Sequence, residues 1–215
     1  MYKIKEYISE MWDKHPLRLL LIIAFTVRLI SSIFSGGYGM HDDHFLVVET
    51  AQSWVDGTDY NNWLPESQLK ANPDKVPQPD GHSLLYPGVN YVIFLILKYL
   101  GIEDFGFKMF LLRLLHALFS LIVIYAGFRI TLVLSNLQTA RFVGLLLAVI
   151  WWMPFFSVRN LVEVVAIPPI MLGMMWLVLN QEEKHRLWRI IAAGLIIGIA
   201  FSIRFQTSFM AAGVG

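Results

Sequence analysis

The chain has 215 residues, 56% of them hydrophobic and only 15% charged, against about 25% charged in ordinary soluble domains. A net charge of +1 gives no electrostatic case for a nucleic-acid partner. The absence of cysteine excludes disulfides, thiolate metal sites and cysteine nucleophiles.

The apolar residues come in long runs, so the expected class is an all-α integral membrane protein. Residues 1–16 mix charges, with Lys3, Lys5, Glu6, Glu10, Asp13 and Lys14. The first apolar run, 17–34, is longer than a signal-peptide core and lacks a small-residue cleavage site. It reads as an uncleaved first transmembrane helix, with Arg28 deep inside it, either snorkelling or lining a cavity or else paired with a carboxylate elsewhere in the bundle. Further spans are predicted at 109–134, 140–156, 164–180 and 190–215, since about 20 apolar residues cross a bilayer. The whole of 1–215 is taken as one transmembrane domain. Its end, inside the apolar run FMAAGVG, gives the expectation that it is the N-terminal part of a longer protein.

The polar stretch 35–108 reads as one long external loop, rich in Pro65, Pro73, Pro77 and Pro79. Within it, 84–100 is apolar and could either span or lie on the membrane surface. If it spans, Arg129, Arg141 and the cluster Lys184, His185, Arg186, Arg189 all fall outside. If it is interfacial, these residues join Lys3, Lys5, Lys14 and Arg18 on the cytoplasmic side. The positive-inside tendency favours the interfacial helix.

Four polar constellations stand out. His41-Asp42-Asp43-His44 opens a stretch of helical character that stops at Gly57, so its carboxylates sit at a helix N-terminus. α-Helical spacing puts Asp42, Phe45, Glu49 and Gln52 on one face. A plain N-cap or a general base are both open for such an acid pair. A metal site is not expected, because four adjacent residues rarely converge on one ion. The second constellation, around His82 in GHSLLYP, offers a donor to a phosphate oxygen, or only an amphipathic helix start with Tyr86 at the interface. The third holds Arg159, Asn160 and Glu163 between two short spans, where Arg159 and Glu163 could close a helical turn as an i, i+4 pair. The fourth is Arg204 in AFSIRFQTSF, expected within a helix and either snorkelling outward or lining a cavity.

Taken in order, these segments resemble the polyprenol-phosphate-mannose-dependent mannosyltransferases of the GT-C class, with the glycosyltransferase family 22 enzymes nearest. HDDHFLVVE resembles the P-D-E-x-W/F-Q-x-x-E motif after their first helix. HSLLYPGVNYVIFLILKYLG resembles the R-S-Y-x-Y-P stretch and the helix after it, and LLRLLHALFSLIVIYAG the next helix. SVRNLVEVV resembles R-T-x-x-N-x-x-E, and GLIIGIAFSIRFQTS the G-x-x-x-x-x-x-x-R-P-T segment. His41 stands where the family has Pro, Asp43 where it has Glu, His82 where it has Arg, and Phe205 where it has Pro.

The resemblance implies a GT-C-like multi-spanning bundle with a long first external loop carrying interfacial helices. It implies a transferase that inverts the sugar, mannose in the nearest relatives, from a polyprenyl-phosphate-linked donor to a hydroxyl of a glycan or glycolipid acceptor. Asp42 would be the base and Asp43 its helper. His41, His44, Glu49, His82, Arg159, Asn160, Glu163 and Arg204 would bind substrate, with no metal and no cofactor. The partners would be those substrates and the lipid bilayer. The active site would face the exterior or lumen; apart from the resemblance, short loops and the absence of cysteine favour a bacterial plasma membrane over an ER membrane. A transporter or lipid flippase would use intramembrane Arg28 and Arg204 as a path, but no internal repeat is present. A non-catalytic fragment is the third reading.

Overall fold

A computed structural model describes residues 2–36, 41–78, 81–179, 186–209 and 213, and the ordered elements among them are all helical. Helix α1 (Tyr2–Lys14) ends where His15 leaves helical geometry, at φ −137° and ψ 53°. Pro16 then opens α2 (Pro16–Phe34), at the position where a missing N–H costs nothing. The segment after it forms α3 (His41–Asp43), a π-helical stretch (His44–Glu49) and α4 (Thr50–Val55), stopped at Gly57 with φ +77°. Pro65 starts α5 (Pro65–Ala71). Next come α6 (Leu85–Tyr99) and α7 (Phe105–Leu134), the latter capped by the Asp104 carboxylate, which accepts from Phe107 N at 2.7 Å. Asn136 caps α8 (Leu137–Val149) in the same way. Then follow α9 (Trp152–Ser157), α10 (Val162–Leu179), α11 (Arg186–Ile203) and a 3₁₀ turn (Phe205–Thr207).

Three of these helices, α2, α7 and α10, are long and apolar enough to cross a membrane. The 30-residue α7 is about 45 Å long at about 1.5 Å per residue. That exceeds the roughly 30 Å of bilayer hydrocarbon.

Two expected spans take another form. The run 140–156 is not one helix. Pro154 has no N–H to offer the carbonyl of Ile150, and α8 ends at Val149, just before that residue. Ile150 O accepts from Met153 N instead, at 2.9 Å. The run expected at 190–215 is helical only to Ile203. Arg204 follows in extended geometry, at φ −141° and ψ 111°, so it lies beyond the helix rather than within it. Its tail at 210–212, 214 and 215 lies outside the described residues, as do Asn180, Lys184 and His185.

Helices α2 and α7 run antiparallel. Leu20 packs with Phe128, Ala24 with Ile124, and Arg28 Nε donates to Ser120 Oγ at 2.9 Å. Higher up, Arg113 Nε donates to Ser32 O, also at 2.9 Å. The chain therefore leaves α2 and enters α7 at the same end of the bundle. Helix α6 does not carry it across, because one crossing would make α7 parallel to α2. Instead α6 packs with α4 and the start of α7 through Val48, Ala51, Phe94, Leu97 and Leu112. Lys98 Nζ donates to Val55 O at 2.9 Å and Lys108 Nζ to Gln52 Oε1 at 3.2 Å.

Arg28 is 1% exposed and meets no carboxylate among the described residues. Its Nη1 donates to Ala148 O at 3.0 Å and to Ala24 O at 3.3 Å, and its Nη2 to Leu147 O at 3.1 Å. Leu147 and Ala148 belong to the last turn of α8, whose carbonyls have no partner within the helix and form its negative end. The arginine is thus a side-chain cap supplied from another helix. At the other contact, Gly173 of α10 lets α11 close in. A Cβ there would stand 2.6 Å from Ile197 Cγ1 and 3.2 Å from Ala193 O.

Arg28→Met should lower the thermal midpoint of the detergent-purified protein markedly, at about 1–3 kcal/mol for each buried group left unpaired. Arg28→Lys should fall between, because one ammonium cannot reach both carbonyls and Ser120. A midpoint unchanged in Arg28→Met would show that the α8 end is satisfied without it.

Candidate functional site

The site forms where three chain breaks meet. Between α9 and α10 the backbone at 158–161 is not helical, which frees the first N–H groups of α10. Asp43 Oδ2 accepts from Val162 N at 3.0 Å, so a carboxylate from the first loop caps a helix 119 residues further on. Asn160 Nδ2 donates to Asp43 O at 3.1 Å. That leaves Asn160 Oδ1 facing the hydroxyl of Tyr86, which donates to it. The same Tyr86 oxygen contacts His116 Nε2 from α7. Its proton being spent on Asn160, His116 must hold hydrogen on Nε2 and donate to Tyr86. A buried polar chain, His116–Tyr86–Asn160–Asp43, thus ties α7, α6, the 158–161 break and α3 together.

Two further elements close the site. Ser83 Oγ donates to Ser202 O in the last turn of α11, bringing the start of α6 against the end of α11. His82 stacks on Trp63 with ring centroids 4.8 Å apart and planes 18° apart. Just past α11, Arg204 Nη2 contacts Glu163 Oε1 at 2.8 Å. Together these side chains enclose a cavity of about 200 Å³, lined by Asp43, Trp63, His82, Ser83, Tyr86 and Arg204 among others. A second, almost wholly apolar groove of about 280 Å³ adjoins it, sharing Tyr86 and Ile203 and walled by Val89, Phe119, Val165 and Ile199.

The electrostatics single out Asp43. Burial pushes its carboxyl above the ordinary value of 3.8. The N–H of Val162 and the charge of Arg204 oppose that rise, while Glu163 and Asp42 add to it. Its Oδ1 accepts no hydrogen bond among the described residues. The arrangement offers a poised carboxylate, a guanidinium and an imidazole around one small polar space, with an apolar groove alongside.

Of the residues singled out in the sequence, Asp43, His82 and Arg204 line the cavity. Asn160 and Glu163 stand behind them and hold Asp43 and Arg204. Asp42 is exposed and does not line it. The side chain of His41 lies outside the described residues. His44 is buried to 4% exposure, with Nε2 3.7 Å from Glu49 Oε1 and its ring edge-on to Phe105, so both it and Glu49 face away from the cavity. Arg159 lies over the Phe155 ring at 4.7 Å and is not the partner of Glu163, because 158–161 is not helical and the i, i+4 geometry does not exist there.

The expected single face of Asp42, Phe45, Glu49 and Gln52 is also lost. The π-helical stretch (His44–Glu49) widens the turn and breaks α-helical register. Gln52 consequently points to Lys108 and Asp56. Residues that α-helical spacing did not flag are His116, Trp63 and Tyr86 as a buried donor. The signal for His116 is its place inside an apolar run, where an ionisable group needs a partner. Among the described residues no three His, Asp or Glu side chains are grouped to hold a metal ion.

No family model, no curated protein and no solved structure matches this chain.

Removing either hydroxyl or amide from the buried chain should destabilise it and do so non-additively. Tyr86→Phe and Asn160→Leu are each expected to lower stability by about 1–3 kcal/mol, because each leaves buried groups unpaired. The double variant should cost clearly less than the sum, read as detergent unfolding midpoints in a double-mutant cycle. Strict additivity would mean that the two side chains do not act on one another.

Proposed function

We propose that this chain is a membrane glycosyltransferase that moves a sugar, mannose by its resemblance to the GT-C mannosyltransferases, from a polyprenyl phosphate to an acceptor hydroxyl with inversion. One observation carries the reading. The cavity sets a carboxylate, Asp43, near a guanidinium, Arg204, and opens beside an apolar groove. A lipid-linked sugar phosphate needs all three: a proton acceptor for the incoming hydroxyl, a cation for the departing phosphate, and apolar cover for the lipid.

In that reaction Asp43 takes the proton of the acceptor hydroxyl as its oxygen bonds to the anomeric carbon. The bond from that carbon to the phosphate oxygen breaks, and the electron pair leaves with the phosphate. Arg204, with its planar fork of donors, stabilises the charge that develops there. Glu163 holds the guanidinium until substrate arrives, at 2.8 Å. His82, stacked on Trp63, supplies a further donor. Asp43 replaces Asp42 as the candidate base because it, and not Asp42, lines the cavity; Asp42 adds negative charge beside it. The site end of the bundle is read as the exterior or lumenal face. The opposite end collects Arg141, which binds Trp12 O and Asp13 O, and the nearby Lys14, as the positive-inside tendency asks. The transport reading is weakened by Arg28, whose donors are spent on helix-end carbonyls rather than left to a substrate path.

The test is transfer of label from polyprenyl-phosphate mannose in membranes carrying equal amounts of each variant. Asp43→Asn and Arg204→Gln should each lose transfer by about 100-fold or more, and Asp42→Asn should keep most of it. Activity should also fall as the medium is acidified. Asp43 must be ionised to accept a proton, and its burial places that acid limb above the 3.8 of an ordinary aspartate. Full transfer by Asp43→Asn would remove it as base. Absence of wild-type transfer from any lipid-linked sugar would remove the reading itself.

A further inference from the structure

Helix α1 lines neither the polar cavity nor the apolar groove. Residues 3–10 of α1 are all exposed, and among them stand Ile4 at 63%, Tyr7 at 63% and Ile8 at 49% exposure. These apolar residues are not scattered. Ile4, Tyr7, Ile8 and Met11 recur at i, i+3, i+4 and i+7, which is one stripe of a helix.

The charges are sorted around that stripe. Lys3 and Lys14 flank it beside Tyr7, at i−4 and i+7 of that residue. Lys5 flanks the other border beside Ile8 and Trp12, at i−3 and i−7. The acids Glu6 and Asp13, at i and i+7, lie on the opposite face, and Glu10 stands beside the lysine border, where its carboxylate pairs with Lys14 Nζ at 2.8 Å. Lysines at the borders with acids at the far side are the arrangement of a helix lying flat at a lipid–water boundary. A lysine stem there covers apolar surface while its ammonium reaches headgroups, and acids stay in water.

The surroundings say what covers the stripe. Only His15 separates α1 from α2, a 19-residue apolar helix long enough to cross a membrane. The non-helical backbone of His15, followed by Pro16, breaks the axis, so α1 is not an extension of that helix. The C-terminal end of α1 is fixed to the bundle. Arg141 Nη2 donates to Trp12 O at 2.7 Å and Asp13 O at 3.2 Å, its guanidinium lies 5.3 Å from the Trp12 ring, and Trp12 packs with Leu20, Phe128 and Ala140. The rest of α1 projects from that clamp at the end of the bundle opposite the candidate cavity.

We propose that α1 is a membrane-surface helix, lying in the plane of the bilayer with Ile4, Tyr7, Ile8 and Met11 in the boundary between headgroups and acyl chains. Its three lysines are matched by three acids, so insertion is driven by apolar burial and does not require anionic lipid. The inference is independent of the transferase reading.

The chain has no cysteine, so single reporters can be placed at will. Ile8→Cys and Glu6→Cys, each carrying a fluorophore, are compared in the full chain reconstituted into phosphatidylcholine vesicles. Brominated phosphatidylcholine should quench the label at position 8 several-fold more than the label at position 6, and aqueous iodide should do the reverse. Adding phosphatidylserine should leave both patterns unchanged. Equal lipid quenching at the two positions would overturn the proposal. So would a label at position 8 shielded from lipid and iodide alike, which would mean that a second copy or another protein covers the stripe.

Discussion

Arg28 binds the last carbonyls of α8 inside an apolar bundle, and the placing of the later helices depends on that bond. A helix that stops away from water leaves carbonyls unpaired at one end and N–H groups at the other, at a cost of several kcal/mol for each in a lipid-like medium. The chain stops twice in quick succession here, after Val149 and again at 158–161. A cation supplied by α2 serves the negative end of α8, and an anion, Asp43, serves the positive end of α10. Both partners come from far along the sequence. The two stops can therefore exist only in the assembled bundle.

The second of these stops makes the site. Capping α10 draws Asp43 inward, and Asn160 then bonds the Asp43 carbonyl. The polar chain through Tyr86 and His116 extends that attachment to α6 and α7. Low dielectric strengthens each of these bonds and makes each unpaired group costly, so the chain is rigid when complete. Asp43 carries two demands at once. One oxygen holds a helix end, and the carboxyl as a whole is partly stripped of water beside Arg204. A fixed carboxylate raised above its ordinary range is the kind of group that can accept a proton during a reaction. Structural capping and candidate chemistry are met by the same side chain.

The division of space follows from where α6 lies. Because α2 and α7 are antiparallel, α6 stays at one end, against α4 and the protruding start of α7. Its Tyr86 face meets the polar break, and its Val89 face looks along α7 and α11. A polar cavity and an apolar groove therefore share a wall. That adjacency suits a molecule with a charged head and a lipid tail, and it is a consequence of helix placement rather than of any one motif.

The sequence alone shows that the chain is helical and apolar enough to cross a membrane, because long apolar runs act locally. It also marked Asp43, Asn160, Glu163, His82 and Arg204 as polar residues out of place, since such groups near apolar runs need partners. Which partners they take was decided by the tertiary structure. Glu163 binds Arg204 rather than Arg159, Arg28 binds carbonyls rather than a carboxylate, and Asp43 rather than Asp42 faces the cavity. The π-helical turn at His44–Glu49 and the break at 158–161 changed the local register on which i, i+3 and i, i+4 reasoning rests. Spacing rules assume an unbroken α-helix. Here the breaks are tolerated because distant side chains satisfy the freed backbone, and those partners are in place only once the bundle has formed.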